Sequence, residues 1–196
     1  MYSSIFKRTL DLILCSIALI ILSPFFLLTA LIIKIDSKGP VLFKQARLGK
    51  NEKQFKLYKF RTMTHKIRTT HRDIFLGDPE VTKVGEYLRR LKVDELPQLI
   101  NVIKGDMSIV GPRPCLPEVK SKFGTYAEVR FKLKPGLTSL AAIKGSIFLT
   151  WEEKGFWDAQ YVQTISFKTD LWIILNTFNV ILKGEEALFK KGKELS

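Results

Sequence analysis

The chain is poor in the residues that build metal centres and disulfide frameworks. It carries two cysteines, Cys15 and Cys115, and two histidines, His65 and His71, in 196 residues. The cysteines lie far apart, and no Cys or His stands at ligand spacing from either. That argues against a zinc site and against a disulfide framework, and it fits a reducing compartment. Both histidines fall in a polar, basic stretch, where a solvated loop accounts for them. Acidic residues are scarce as well: 19 Asp+Glu against 32 Lys+Arg leave a formal net charge of +13. A surplus of that size favours anionic partners, whether nucleic acid, acidic lipid or phosphorylated substrates. The basic residues are scattered and no recognised reading helix is present, so nucleic acid is not the expected partner. There is no internal repeat. Disorder is excluded too, because hydrophobic residues make up 46%.

What the sequence does have is one long apolar run, Leu10 to Ile33. As a single helix it would measure about 36 Å, more than the ~30 Å hydrocarbon core of a bilayer requires. A spanning helix is the simplest reading, and three features oppose it. Ser23-Pro24 interrupts the run, and proline removes a backbone donor and kinks or ends a helix. The carbonyl near Ile20 then needs a partner in lipid, and the Ser23 hydroxyl is a nearby donor. Lys7 and Arg8 precede the run while Lys34 and Lys38 follow it, and basic residues prefer the cytoplasmic side. Positive charge at both ends suits a re-entrant hairpin returning to one side. Finally, Asp11 lies just inside the run, where a carboxylate should stay near the headgroups and pair with a residue such as Arg8. No small-x-small site follows the run convincingly, so a cleaved signal peptide fits poorly.

Beyond Gly39-Pro40 the patterning changes. Val41–Ala46 and Gln54–Thr62 are strand-like, the second alternating with a period of two, and a turn-rich Leu48-Gly49-Lys50-Asn51 joins them, which reads as a β-hairpin. Residues 64–80 read as a loop. Val81, Val84, Leu88 and Leu91 are spaced as on a helix that carries Arg89 and Arg90 at its end. Leu96, Leu99, Ile100 and Ile103 mark a second short helix closed by Gly105. Met107–Val110 reads as extended, Glu118–Leu133 as helical, and Trp151–Lys183 as one or two helices. The many aromatic residues of that last stretch suit ordinary core or an interfacial helix equally.

The informative stretch runs from Leu91 to Pro114. Asp94 and Glu95 are adjacent carboxylates at a helix start, with Pro97 in the first turn. Helix capping alone would explain them. Their surroundings point further. Arg89 precedes them closely, and Arg113 is held between Pro112 and Pro114, a rigid support for a guanidinium suited to phosphate oxygens. Carboxylates, arginines and a helix N-terminus together make a phosphate site. An aspartate there could bind Mg²⁺ or attack phosphorus.

These motifs, in order, are Lys7-Arg8-x-x-Asp11, Ser23-Pro24, Phe43-x-Gln45-x-Arg47-x-Gly49, Tyr58-Lys59-Phe60-x-Thr62-Met63, Asp94-Glu95-Leu96-Pro97-Gln98, Lys104-Gly105-Asp106-Met107-Ser108 and Gly111-Pro112-Arg113-Pro114. With them the chain resembles the bacterial sugar transferase family of small monotopic phosphoglycosyl transferases over residues 1–183. The resemblance implies an α/β fold, mostly helical with a small β-hairpin. Residues 1–38 would form a re-entrant membrane helix-break-helix with the kink at Ser23 and Pro24. Residues 39–183 would form the catalytic domain with interfacial amphipathic helices, and 184–196 a polar tail.

The resemblance also implies a reaction. The carboxylate of Asp94 would attack the β-phosphorus of a UDP-sugar, releasing UMP and leaving an aspartyl phosphosugar. A polyprenyl (undecaprenyl) phosphate would then take the sugar phosphate, as the first membrane step of a bacterial surface glycan pathway. Glu95 would be the partner of Asp94, and Mg²⁺ would sit next to Asp94. Arg89 and Arg113 would clamp phosphate, with Lys59, Arg47 and Arg61 as further substrate-binding candidates, although solvated charge on a hairpin explains these three as well. The place of work would be the cytoplasmic face of the bacterial inner membrane, in contact with membrane lipid, with downstream glycosyltransferases as further partners. One segment departs from the family pattern. After Pro135-Gly136-Leu137-Thr138 stand Ser139, Ala141-Ala142 and Gly145-Ser146, where the family carries glycine, Ala-Gln and Gly-Arg. Lys144 is the candidate substitute for the missing guanidinium. The charge also allows an alternative, a non-catalytic membrane-anchored scaffold that binds acidic lipid or nucleic acid.

Overall fold

The computed structural model describes residue 2, residues 4–64 and residues 78–183. His65, His71 and the 184–196 tail lie outside the described residues.

The apolar run forms α1, Ser4–Asp36, as one uninterrupted helix with Pro24 inside it. This corrects the expected break at Ser23-Pro24. The Ser23 hydroxyl donates to the Ile20 carbonyl at 2.8 Å, the acceptor that the missing Pro24 N–H would have served. Side-chain replacement of the lost bond lets helical backbone continue through proline. Asp11, Cys15, Thr29 and Ile33 are buried, and Ala18, Leu19, Leu22 and Phe26 pack against the body. Those positions make one stripe along the helix. The opposite face leaves large apolar side chains such as Ile20, Ile21, Leu27 and Leu31 exposed.

Asp11 does not pair with Arg8. It accepts from the Ser108 hydroxyl at 2.7 Å and the Ile109 amide at 3.2 Å. Arg8 instead donates to the carbonyls of Val102 and Ile103, capping the C-terminal end of a later helix, where unsatisfied carbonyls favour a cation.

The predicted hairpin is present. β1 (Leu42–Leu48) pairs antiparallel with β2 (Gln54–Phe60), with Phe43 opposite Lys59 and Arg47 opposite Phe55. Next comes α2 (Lys83–Arg90), capped by the Thr82 side chain, which accepts from the Gly85 amide. Gly85 lets α2 ride directly on the end of β2: a Cβ there would meet the Thr62 carbonyl at 2.0 Å. Lys92 adopts the left-handed conformation (φ 56), at a cost of about 1 kcal/mol for a side chain with a Cβ. The chain thereby enters a 3₁₀ turn, Val93–Glu95, followed by α3 (Gln98–Lys104), which ends at Gly105 with φ 90.

β3 (Ser108–Val110) pairs parallel with β4 (Gly136–Thr138), a second small sheet beyond the hairpin. The stretch expected as one helix over Glu118–Leu133 is instead a 3₁₀ segment, Pro117–Tyr126, bent at Gly124, followed by α4 (Ala127–Arg130). Gly124, with φ 56 and ψ −136, is what stops a regular helix. After β4 come α5 (Leu140–Lys144), α6 (Trp151–Thr164, with a capping box from Thr150 and Glu153) and α7 (Phe167–Lys183).

Three apolar clusters hold these elements. Cys15 of α1 joins Leu57, Leu99, Val102 and Met107, so the first helix is part of the core. A second cluster groups Leu48, Cys115, Phe123, Ala127 and Phe131. The third gathers Val110, Leu140, Ile143, Tyr161 and Ile173. The outer face of α7 exposes Phe167, Leu171, Trp172, Leu175, Phe178 and Leu182. Phe167 meets Phe6 of α1 edge-on at 6.4 Å, so the exposed apolar faces of α1 and α7 adjoin.

Candidate active site

Asp94 and Glu95 sit on the 3₁₀ turn between α2 and α3, not at a helix N-cap. Neither side chain caps, and Pro97 occupies the N-cap of α3. The two carboxylates have different surroundings. Glu95 Oε1 accepts from Lys59 Nζ and from Arg113 Nη2, each at 2.7 Å. Lys59 Nζ is 3.9 Å from Asp94 Oδ2, too far for a hydrogen bond. Burial raises the pKa of Asp94, with Lys59 pulling against it and the charge of Glu95 adding to the rise. Burial also pushes Glu95 up, but Arg113 and Lys59 outweigh it and hold that carboxyl well below the usual range.

Each partner is delivered by a different element. Lys59 comes from β2 and Arg113 from the strap after β3. Arg89 is on the last turn of α2, where its Nε donates to Thr62 Oγ1 at 2.8 Å. Its charge is close enough to lower the pKa of Asp94. Arg47 of β1 donates to Gln45 Oε1 at 2.7 Å and to the Pro114 carbonyl at 3.4 Å. Burial and then the charge of Arg113 lower its pKa, so two guanidiniums converge beside Glu95. Like charges at such range suit a polyanionic ligand.

Arg61 is not brought to this cluster. It is buried, and its guanidinium donates to the carbonyls of Pro40, Ile33 and Ser37 and to Ser37 Oγ. It ties the end of β2 to the end of α1, a structural clasp rather than a substrate contact.

Sequence reasoning missed Asn101. It is fully buried in α3. Its side chain accepts from the Tyr58 amide at 3.0 Å and donates to the Lys56 carbonyl at 2.8 Å and to Asp106 at 3.2 Å. It thus fixes α3 against the strand that carries Lys59. Its one visible signal was a lone amide inside the apolar Leu99-Ile100-Asn101-Val102 run. The buried pair Arg130–Asp158, at 3.0 Å, also gave no periodic signal.

The departing segment makes the β4–α5 junction. Ser139 is buried and caps α5, accepting from the Ala142 amide at 3.0 Å. Lys144 stands over the rings of Trp157 and Trp172, at 5.1 and 5.7 Å.

Among the described residues no group of three or more His, Cys, Asp or Glu could hold a metal ion. The donor set here is Asp94 with Glu95 beside it. Mg²⁺ is commonly held by one or two carboxylates together with substrate phosphates and water, so these residues fit a magnesium ion that arrives with a diphosphate. Asp94 is the better ligand of the two, because two cations already occupy Glu95 Oε1.

The family model described as bacterial sugar transferase matches residues 2–184. An uncharacterized sugar transferase, EpsL of Bacillus subtilis (strain 168), is 40% identical over 181 residues, 92% of this chain and 89% of that protein. The exopolysaccharide production protein ExoY of Rhizobium meliloti (strain 1021) is 36% identical over 191 residues, 89% of this chain and 84% of its own. A UDP-glucose:undecaprenyl-phosphate glucose-1-phosphate transferase of Klebsiella pneumoniae is 39% identical over 194 residues, which cover 92% of this chain and 40% of that longer protein.

Proposed function

The chain belongs to the bacterial sugar transferase family, and from that premise we propose that it moves a sugar 1-phosphate from a UDP-sugar to polyprenyl phosphate through a covalent intermediate on Asp94. The unequal environments of Asp94 and Glu95 carry this reading.

In the first step an Asp94 oxygen attacks the β-phosphorus of the donor. The bond from that phosphorus to the UMP oxygen breaks, and UMP leaves with the electron pair. In the second step a phosphate oxygen of the lipid attacks the same phosphorus and expels Asp94 as a carboxylate. Polyprenyl diphosphate sugar is the product. A carboxylate held away from hydrogen-bond donors and raised in pKa is the more basic and less solvated nucleophile. Glu95 is the poorer one, because two charge-assisted bonds engage its Oε1. Its role is to hold Lys59 and Arg113 in place, so that both cations face the phosphates. Arg89 and Arg47 add positive charge on either side. Mg²⁺, when bound at Asp94, would cancel the repulsion between carboxylate and diphosphate and polarise the phosphoryl oxygens.

The membrane side of the proposal rests on α1. Lys7, Arg8 and Asp11 near its start and Ile33 near its end all bind the same body. Residues 8 and 33 of a straight helix are about 38 Å apart, beyond the ~30 Å of the hydrocarbon core. A helix crossing the bilayer would have to carry part of that body to the far side. Insertion from one face, with the exposed faces of α1 and α7 in lipid, avoids this. In this reading Asp94 would work on a lipid phosphate at headgroup depth. UDP-sugars are made in the cytoplasm, so the cytoplasmic face of the inner membrane is the side proposed, with a surface glycan pathway downstream.

The test is direct. The protein in detergent or nanodiscs is mixed with Mg²⁺ and a panel of UDP-sugars, without acceptor, and its intact mass is measured. A sugar-phosphate adduct with one equivalent of UMP is expected, discharged by a short polyprenyl phosphate and absent in Asp94→Asn. UMP release by the Asn variant would remove Asp94 from the nucleophile role.

A further inference from the structure

The strap Gly111-Pro112-Arg113-Pro114-Cys115 is held along its backbone. The Gly111 amide donates to the Thr138 carbonyl at 3.0 Å, the Pro112 carbonyl accepts from the Gly136 amide at 2.9 Å, and the Cys115 carbonyl accepts from the Leu48 amide at 2.9 Å. Between these anchors the Pro114 carbonyl accepts from Arg47 Nη1 at 3.4 Å, and the Arg113 carbonyl is likewise taken by a side chain. Arg130 Nη2 donates to it at 2.6 Å. Arg130 Nη1 reaches Cys115 Sγ at 3.0 Å, and Nε donates to Asp158 Oδ2 at 3.0 Å. Arg130 is 3% exposed and its guanidinium lies over the Phe123 ring at 3.8 Å, while Asp158 is 1% exposed. Asp158 Oδ1 is buried with no hydrogen-bond partner.

A buried ion pair is weak evidence for stability, since desolvation offsets the Coulomb gain and apolar residues of equal volume often do as well. Here the pair also leaves an acceptor unsatisfied, which adds to its cost. What no apolar pair could supply is a fork that grips both ends of one tripeptide, the carbonyl of residue 113 and the thiol of residue 115. The residue so gripped is the one whose side chain reaches Glu95. Arg113 is itself half-exposed, so its guanidinium is aimed by its bond to Glu95 and by the backbone that carries it.

We propose that Arg130, oriented by Asp158, is a positioning residue for Arg113, fixing the strap so that the Arg113 guanidinium meets both Glu95 and the donor diphosphate. This rests on the reading of Arg113 as a phosphate clamp.

A double-mutant cycle tests it on the full-length protein. Arg130→Lys keeps a charge beside Asp158 but loses the planar fork, and Asp158→Asn keeps the shape but loses the anchor. Each is made alone and with Arg113→Ala. Binding of UDP with Mg²⁺ is measured by calorimetry, UMP release by kcat and KM, and folding by melting temperature. With Arg113 present, each single change is expected to weaken UDP binding and raise KM about tenfold, a coupling of the size seen between contacting residues. With Arg113→Ala, the same changes should cost less than about twofold. Equal losses in both backgrounds, or losses that only track melting temperature, would overturn the proposal. Should one variant fail to fold, the other decides. Coupled binding without turnover would keep this inference and reject the transferase mechanism. Wild-type protein that binds no UDP would reject the clamp and this inference with it.

Discussion

Asp94 and Glu95 are adjacent in the chain, yet Lys59 Nζ lies 3.9 Å from the first carboxylate and 2.7 Å from the second. One ammonium group, shared unequally, divides two like residues into an available carboxylate and an engaged one. On the 3₁₀ turn successive side chains stand about 120° apart around the axis, so the two carboxylates point to different surroundings.

Asp94→Asn is expected to reduce UMP release by about 10⁴-fold or more, as for removal of other covalent nucleophiles. Glu95→Gln should lose less, about 10²-fold, because the nucleophile survives while its two cations lose their common anchor. Steady-state UMP release with a saturating short polyprenyl phosphate checks both.

Activity should fall in acid as Asp94 takes up a proton, and burial moves that fall upward from an aspartate's ordinary value. Lys59 lowers the same pKa, so Lys59→Met is expected to move the acid limb of kcat/KM to higher pH. A pH profile with an unmoved acid limb in the Met variant would deny Lys59 that influence.

Glu95 titrates in the opposite sense for stability. Its folded pKa is held below the unfolded value of about 4.3 by Arg113 and Lys59, against burial. It therefore contributes stability that is fully present above the unfolded pKa and lost as pH falls below it. Denaturant melts from pH 7 to pH 3 should show a smaller acid loss for Glu95→Gln than for the wild type.

Ser23→Ala removes the hydroxyl that donates to the Ile20 carbonyl. The expected cost is about 1–2 kcal/mol, the penalty for an unsatisfied group shielded from water. Thermal melting in detergent measures it. For topology, single cysteines at Ser4 and Lys38, in a background lacking Cys15 and Cys115, are expected to label from the same side in sealed vesicles. Labelling from opposite sides would contradict one-face insertion.

Asn101→Leu should destabilise the protein by about 3 kcal/mol, because it strands buried groups on Tyr58 and Lys56 in one change. Urea unfolding at neutral pH gives the value. A cost below 1 kcal/mol would show that α3 does not depend on that amide.

Much of the local structure is legible in the residues. Two strand-like stretches around a turn, the second of them alternating, give the hairpin, and the spacing of Val84, Leu88 and Leu91 gives α2. The Trp151–Lys183 stretch reads as one or two helices and forms α6 and α7. The need of the Ile20 carbonyl for the Ser23 hydroxyl follows from the chemistry of proline alone. These are short-range matters, set by periodicity, sterics and hydrogen-bond donors a few residues apart. The likeness of ordered motifs to a known family added the identity of the nucleophile candidate, which spacing alone left open to a capping role.

What tertiary structure decided was every pairing across long stretches of chain. Arg61 and Lys59 are two residues apart on one strand end, yet packing turned the first into a clasp for α1 and the second towards Glu95. Asp11 met Ser108 rather than Arg8, and Arg8 met the end of α3. β3 found β4 in parallel register, and Arg130 closed on the strap that bears Arg113. A charged side chain has several partners within its reach. Which one it takes depends on where burial removes water and leaves a carbonyl or carboxylate waiting, and no local pattern of residues encodes that.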